Sequence, residues 1–275
     1  MQDKIVNKNS IIKNENYKKS NILIDSKYKS SLLENKILAL GMYKAQKEDG
    51  RAIARITTGE LKNLLYRNDK SEKVSGSFYT RLKEAAQEMT GRRIFIEDYE
   101  NQSFAIMNLI GSATYCKNLF TIKFEPDITD YLLNLKSNYT NLNLPILMSF
   151  DSKYSYRLYE ILKSKAFHSK NSSSTEEEFS LHYGISELKL AVGVVDTNAD
   201  AVSKMLKKHN PDFDKIVNEV SRDKNFNVWS DFKKRVIDVA VKEINEKSDL
   251  LVKYELIREG YGGKVTGIIF IFSKK

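Results

Sequence analysis

Residues Trp229 to Phe272 decide the fold, and they read WSDFKKRVIDVAVKEINEKSDLLVKYELIREGYGGKVTGIIFIF. In the first half, apolar residues recur with the spacing of one helical stripe, at Phe232, Val236, Val239, Ala240 and Ile244. Ser230 stands at the expected start, where its hydroxyl can accept a hydrogen bond from a free amide of the first turn. The second half reads as two strands, Leu250 to Arg258 and Lys264 to Phe272, joined by a glycine-rich turn. The stretch therefore predicts one helix followed by a β-hairpin.

Three cations, Lys233, Lys234 and Arg235, crowd the first turn of this predicted helix. The positive end of the helix dipole lies there, so cations in that turn are unfavourable unless an anion binds them. A cationic helix followed by a basic hairpin is the layout of a winged-helix domain that binds DNA. In such a domain the helix enters the major groove and the hairpin, or wing, contacts the backbone.

The same unit occurs twice. The sequence FYTRLKEAA from Phe78 matches FKKRVIDVA from Phe232, at an offset of 154 residues (232 minus 78). Each copy is followed by an apolar strand and preceded by an amphipathic helix and a strand-then-helix pattern. A repeat of this length predicts two copies of one domain. We therefore predict an α+β fold of two tandem winged-helix domains related by an internal pseudo-repeat, residues 21–143 and 144–275, after a flexible basic arm at residues 1–20.

Several smaller elements are also predicted from local patterns. Asn21 to Asp25 is a short apolar run typical of a strand. Three apolar runs, Arg93 to Tyr99, Ser103 to Ile110 and Leu119 to Phe124, predict a first wing extended to a three-stranded sheet. Asp127, after Pro126, is expected to cap a short helix.

Composition narrows the functional classes. The chain has 275 residues, 41% of them hydrophobic, and a formal net charge of +9, which favours an anionic partner such as nucleic acid. Its single cysteine, Cys116, excludes an internal disulfide and a cysteine-based zinc site, and we expect it to be buried. No signal peptide or transmembrane run is found, which predicts a cytoplasmic protein that binds no membrane.

The chemistry of common enzymes is missing from the sequence. No stretch matches G-x-x-x-x-G-K-[ST], the loop that holds nucleotide phosphates. The three histidines, His168, His182 and His209, are isolated and lack the spacing of metal ligands. We therefore expect no enzymatic activity, no cofactor and no metal site.

Three stretches resemble the iteron-binding initiator proteins of theta-replicating plasmids, the family of the mini-F and Pi-type initiators. The first is LENKILAL, Leu33 to Leu40, and the second is FDSKYSYRLYEIL, Phe150 to Leu162. The third and most specific joins DFKKRV from Asp231 to KEIN from Lys242 and KVTGIIF from Lys264. The resemblance covers nearly the whole chain and fails in the polar segment between residues 196 and 223.

The resemblance implies a division of work between the two domains. The C-terminal domain is the main DNA reader, and the N-terminal domain supplies accessory DNA contacts and the dimer interface. Monomers, in equilibrium with a homodimer, bind direct repeats at the origin, open the DNA and engage the host replication initiator and helicase. Dimers bind an inverted-repeat operator and repress the protein's own gene. A dedicated winged-helix transcriptional repressor is the alternative function.

The resemblance also places the DNA-binding residues. In the C-terminal copy these are Ser230, Lys233, Lys234, Arg235, Lys242, Arg258, Tyr261 and Lys264. In the N-terminal copy they are Tyr79, Thr80, Arg81 and Lys83, and Lys153 and Arg157 are expected to touch phosphate from the first helix of the second domain. Arg235 has the geometry to bind guanine in a bidentate manner. One alternative is that Arg235 pairs with Asp231 or with a carboxylate of the first domain, and another is that any single cation is an ordinary solvated residue.

Overall fold

The fold is taken from a computed structural model that describes residues 15–66, 75–98, 103–166, 178–195, 200–206, 211–219, 226–260 and 262–275. Its strands are β1 (Asn16–Ser20), β2 (Gln46–Glu48), β3 (Arg51–Thr57), β4 (Arg93–Asp98), β5 (Ser103–Asn108), β6 (Ile110–Cys116), β7 (Leu119–Phe124), β8 (Tyr139–Asn143), β9 (Phe179–Gly184), β10 (Leu250–Glu259) and β11 (Lys264–Lys274). Its α-helices are α1 (Asn21–Asp25), α2 (Leu32–Lys44), α3 (Thr58–Tyr66), α4 (Ser75–Thr90), α5 (Asp130–Leu133), α6 (Leu144–Ser149), α7 (Lys153–Ala166), α8 (Ile185–Ala191), α9 (Asp200–Leu206), α10 (Phe213–Glu219), α11 (Trp229–Phe232) and α12 (Asp238–Lys247).

One order of elements occurs twice along the chain: helix, strand, two helices, then an antiparallel hairpin. The first copy runs through α2, β3, α3, α4 and the hairpin β6–β7, and its sheet has the order β2-β3-β7-β6. The second runs through α7, β9, α8, the helix from α11 to α12 and the hairpin β10–β11, with sheet order β10-β11-β9. In both, the strand before the helices pairs with the last strand of the hairpin. The fold is therefore α+β with two winged-helix domains, as predicted.

The long helix of the second copy, which we call the recognition helix, contains a π-helical turn. This turn covers Lys233–Ile237 and joins α11 to α12. The core positions of α4 are Phe78, Leu82, Ala85 and Met89, and those of the recognition helix include Phe232, Val236, Ala240 and Ile244. The offset is 154 residues for the first two pairs (232 minus 78, 236 minus 82) and 155 for the last two (240 minus 85, 244 minus 89). The π turn therefore inserts one residue, and the predicted pairing of Ala85 with Val239 is wrong.

The first wing differs from the predicted three-stranded sheet. β4 pairs with β5 in a separate two-stranded sheet, while β6, which the sequence pattern missed, pairs with β7. The change of sheet occurs beside Gly111, where the β6–β7 register shifts between Ile110 and Ser112. Lys117 and Asn118 both have positive φ and make the tight turn of the second hairpin. Cys116, beside this turn, is exposed and not buried as predicted.

The N-terminal segment is also more ordered than the predicted flexible arm. Asn16–Ser20 forms β1 and pairs with β8, so the prediction of an arm over residues 1–20 is wrong for this part, and residues 1–14 lie outside the described residues. Asn21–Asp25 is a helix and not a strand. The helix predicted after Asp127 is instead a 3₁₀ turn, Pro126–Ile128, followed by α5.

Helix α7 belongs to the second copy by topology, yet it packs on elements of both copies, including α1, α2, β9 and α12. Gly193, just after α8, lies against the backbone of the first copy. Its φ is +73°, and a Cβ atom there would be 2.7 Å from the carbonyl oxygen of Tyr28. Only glycine fits this combination of left-handed backbone and close approach. The two copies therefore share a tightly packed boundary.

The start of α7 depends on a carboxylate from α12. Glu243 is buried, and it accepts hydrogen bonds from the amides of Asp151 (2.5 Å) and Ser152 (3.1 Å). Lys247 neutralises it at 2.6 Å. We expect Glu243→Ala to lower the free energy of unfolding by about 1–3 kcal/mol, because the two amides at the start of α7 and the ammonium of Lys247 all lose their acceptor. Glu246→Ala, in the same helix but exposed, should change it by no more than about 0.5 kcal/mol. Equal effects in urea denaturation would contradict this role of Glu243.

Candidate nucleic-acid interface

The exposed face of the recognition helix carries three cations, Lys234, Arg235 and Lys242. On the opposite face, Phe232, Val236, Ala240 and Ile244 anchor the helix in the core. Within the described residues, Lys234 and Arg235 take part in no ion pair or hydrogen bond, while Lys242 lies 3.9 Å from Glu246. The alternative pairing of Arg235 with Asp231 is therefore not observed, and the guanidinium of Arg235 is free to bind an anion or a base edge.

Lys233 differs from its two neighbours because its charge is already engaged. Its ammonium lies 2.8 Å from the carboxylate of Asp238, which also accepts a hydrogen bond from the hydroxyl of Tyr254 at 2.6 Å. The hydrogen bonds with Asp238 and then with Tyr254 raise the pKa of Lys233. Burial acts to raise the pKa of Asp238, but the bonds from Lys233 and Tyr254 outweigh it and lower that pKa. Lys233 thus helps to tie the π turn to β10, through the carboxylate of Asp238, and its contact with DNA stays a prediction.

Ser230 does not cap the recognition helix. The helix begins at Trp229, one residue before the predicted cap, and the carbonyl of Val228 accepts from the amides of Asp231 and Phe232, both at 3.1 Å. No side chain caps this end, and the hydroxyl of Ser230 is exposed. With this earlier start, the three cations lie in the second turn of the helix and not in the first. Ser230 remains positioned for a DNA contact, which stays a prediction.

The wing follows the predicted bounds closely. β10 and β11 are joined by a turn in which Gly260 and Gly263 have positive φ. Arg258 donates to the carbonyl of Gly263 at 2.9 Å, which holds its guanidinium at the tip, and Lys264 is exposed beside it. Tyr261, the other predicted contact, lies outside the described residues. The basic end of the hairpin is therefore presented to solvent, as a wing requires.

The corresponding helix of the first copy, α4, also presents its predicted residues to solvent. Tyr79 is 57% exposed, and Thr80, Arg81 and Lys83 are exposed too. The ring of Tyr79 lies 6.4 Å from that of Tyr115 in β6. The two copies thus share an exposed polar and cationic face on the equivalent helix.

The two residues predicted at the start of α7 are less exposed than the predicted residues on α4 and on the recognition helix. Lys153 is half-buried and donates to the carbonyl of Gly193 at 3.4 Å. Arg157 is 1% exposed and its guanidinium is used internally, in bonds to Glu160 (2.8 Å), the hydroxyl of Tyr28 (3.1 Å) and the carbonyl of Ile24 (2.8 Å). The prediction that Arg157 touches phosphate is wrong, because the side chain faces the boundary between the two copies.

One exposed residue of the recognition helix was missed by the sequence pattern. Val239 was assigned to the apolar stripe, yet it is 40% exposed, while Ala240 takes the core position. Counting apolar residues at 3.6 per turn cannot predict the exposure of Val239. The residue inserted by the π turn rotates every later position of the helix relative to a regular α-helix.

In the described part of the chain, no group of three or more histidine, cysteine, aspartate or glutamate side chains is arranged to hold a metal ion. None of the helices described combines the length and the apolar character that a membrane span requires.

Comparison with protein families gives two matches. Residues 16–163 match the model described as initiator replication protein, WH1, and residues 215–272 match the model described as initiator Rep protein, WH2. The first match alone covers 148 residues (16 through 163) of the 275, more than half of the chain. This first match ends within α7 and covers most of that helix. Comparison with curated proteins finds no significant match.

Comparison with solved structures supports the same fold. The crystal structure of Pi initiator protein in complex with iteron DNA matches with a TM-score of 0.63 and 18% identity, covering 96% of this chain and 99% of that chain. At this level of identity the likeness shows the fold. Domains 2 and 3 of RctB match with a TM-score of 0.40 and 11% identity, covering 88% of this chain and 80% of theirs, which is too distant to carry an argument.

Proposed function

Because this chain belongs to the initiator replication protein family, we propose that it is a plasmid replication initiator that binds repeated sequences at an origin. The binding is sequence-specific, opens the origin DNA and brings host replication proteins to it. The protein works in the cytoplasm without a cofactor, as a DNA-binding protein and not as an enzyme.

One observation carries the proposal. In the second copy, an exposed cationic helix lies beside a basic wing, and the cations Lys234 and Arg235 have no partner among the described residues. A helix and a wing arranged in this way suit a major groove and its flanking phosphates. The equivalent helix of the first copy presents Arg81 and Lys83 on its exposed face. Two such surfaces on one chain suit a long, asymmetric site such as one direct repeat.

The two domains are proposed to have different tasks. The domain from 144 to 275 is the main reader, since it carries the recognition helix and the β10–β11 wing. The domain from 21 to 143 adds DNA contacts in the monomer and forms the interface of a homodimer. The dimer binds an inverted-repeat operator and represses the gene. The host replication initiator and helicase are the partners expected of the origin-bound monomer.

Salt dependence tests the phosphate contacts. We expect the affinity for duplex DNA to fall about 10³–10⁵-fold between 50 and 200 mM salt if about six to ten phosphates are contacted. Lys234→Ala should weaken specific and non-specific binding alike and reduce the slope of log affinity against log salt by about one unit. Fluorescence anisotropy on a repeat duplex and on a scrambled duplex measures both quantities.

The matched control is Lys47→Ala, an exposed lysine on β2 outside the proposed interface. It should leave affinity and slope unchanged. A flat salt dependence of the unmodified protein would argue against nucleic-acid binding altogether. Equal effects of the two lysines would show that Lys234 acts only through the net charge of the protein.

A dedicated transcriptional repressor of the same fold is the second candidate, since it needs the same helix and wing. Tandem direct repeats of about two helical turns beside an AT-rich tract, in the DNA next to the gene, favour an initiator. The decisive test is a plasmid that carries the gene and its flanking DNA as its sole origin. Maintenance in the source host, lost on a frameshift in the gene, supports initiation. Repression of the gene's promoter without maintenance would support the repressor.

A further inference from the structure

Val239 is an exposed apolar side chain on the helix face that carries the free cations. It follows Arg235 by four residues and precedes Lys242 by three, so it lies one turn from each along the helix. Its exposed fraction is 40%, whereas Val236 and Ala240 are 1% exposed. A single exposed valine is common on protein surfaces. Val239 differs from such ordinary exposed valines in two ways. It lies between cations on the recognition helix, and an irregular turn of that helix exposes it.

The π turn is what brings Val239 to this face. In α4, which lacks such a turn, the equivalent position by simple offset is Ala85 (239 minus 154), and Ala85 is buried. The inserted residue moves Ala240 into that core position and turns Val239 outward. π turns inside α-helices are rare and occur frequently at functional sites. This π turn contains Lys233, Lys234 and Arg235. One local distortion of the helix therefore determines the positions of the cations and also the exposure of Val239.

The chemistry of the major groove offers one apolar group to such a side chain. Of the four bases, only thymine presents a methyl group, at C5, on its major-groove edge, and apolar side chains bind it by contact. Valine is stiff at χ1, so little conformational freedom is lost when its methyl groups meet another surface. The cations on either side are suited to phosphates and guanine, which leaves the valine to face a base edge.

We propose that Val239 contacts the C5-methyl group of a thymine and so makes one A·T pair part of the recognised repeat. The inference rests on the proposed function, because it requires that the recognition helix enters the major groove. Val239 is then a specificity-determining residue, and thymine is the base that it selects. A protein partner on the same helix face is the other occupant that a valine would suit, and the experiment below separates the two.

The test removes the C5-methyl group of thymine and the side-chain methyl groups of Val239 independently. A duplex library first gives the sequence that the full chain selects. Each thymine of that sequence is then replaced by deoxyuridine, which lacks only the C5-methyl group, and binding is measured for the unmodified protein and for Val239→Ala. At one position the replacement should weaken the unmodified protein about fourfold, equivalent to about 0.8 kcal/mol for one buried methyl-sized group. Val239→Ala should lose a similar factor on the thymine duplex and nothing further on the uracil duplex.

The matched control is Leu251→Ala, which removes a 56% exposed apolar side chain at the end of β10 away from the wing tip. It should leave every affinity unchanged. Alanine favours helices more than valine does, so Val239→Ala should remain folded, and a melting curve verifies this. If binding is sequence-specific but no thymine methyl group affects it, the inference about Val239 is overturned and the proposed function stands. The same holds if the deoxyuridine replacement and Val239→Ala weaken binding additively. A library that yields no selected sequence overturns the proposed function and the inference with it.

Discussion

Arg157→Met should lower the free energy of unfolding by about 3–5 kcal/mol, because one carboxylate and two backbone carbonyls lose a donor, at about 1–3 kcal/mol for each. Arg157 is the largest fully buried side chain among the described residues. Its guanidinium donates to Glu160 at 2.8 Å and to the carbonyls of Ile24 and Ser26 at 2.8 and 3.0 Å. Methionine fills a similar volume but leaves the buried carboxylate and both carbonyls without this donor.

The effect should extend to both copies because the network crosses their boundary. Glu160 also accepts from Lys19 of β1 at 2.6 Å, and both side chains are buried. The guanidinium groups of Arg92 and Arg157 each lie 4.5 Å from the centroid of the Tyr28 ring. The loss of Arg157 therefore weakens contacts of α7 with β1, with α1 and with the segment around Tyr28.

The matched control is Arg55→Met. Arg55 makes a two-bond pair with Glu48, at 2.5 and 2.8 Å, but on the surface, where such pairs contribute about 0–1 kcal/mol. Urea denaturation followed by far-UV circular dichroism gives both free energies. If Arg157→Met costs no more than Arg55→Met, the buried network does not stabilise the boundary.

Arg235→Ala should weaken binding to the repeat by about tenfold to a hundredfold and leave non-specific binding almost unchanged. A bidentate pair of arginine with guanine is worth about 1–3 kcal/mol of discrimination. Arg235 is placed for it, because it is exposed and the buried Phe232 and Val236 on either side fix the backbone. Among the described residues it has no ion or hydrogen-bond partner, so its removal costs no ion pair or hydrogen bond there.

Arg235→Lys separates charge from geometry. Lysine keeps the positive charge but cannot form the planar two-bond pair, so it should lose most of the specificity while non-specific affinity and the salt slope remain. Anisotropy titrations on repeat and scrambled duplexes, with a melting curve for each variant, give the ratio of specific to non-specific affinity. An unchanged ratio in Arg235→Ala rules out base reading by this residue.

Local sequence patterns predict those parts of the fold that depend on residues close together in the sequence. The sequence pattern predicts the bounds of the wing to within two residues, because the two apolar runs stop at a glycine cluster that is typical of a turn. The two-domain architecture followed from one repeated helix pattern, since Phe78 and Phe232 are both core anchors of equivalent helices.

The remaining features depend on contacts distant in sequence or on irregular backbone. The exposure of Val239 follows from a π turn, which has no signal in the spacing of apolar residues. Arg157 reads as a surface cation because its partners, Ile24 and Ser26, lie more than 130 residues away in the chain. Buried arginines are rare, so the expectation from residue type alone was exposure.

DNase I footprinting of the full chain on the DNA that flanks its gene shows directly whether the chain binds a repeated sequence. We expect protection of each direct repeat in the same orientation, recurring about every 21 base pairs, or two helical turns. Arg235→Ala should lose this pattern at protein concentrations where the unmodified chain gives full protection. Uniform protection of repeats and scrambled DNA at the same concentration, or no protection at all, would contradict sequence-specific binding by the recognition helix.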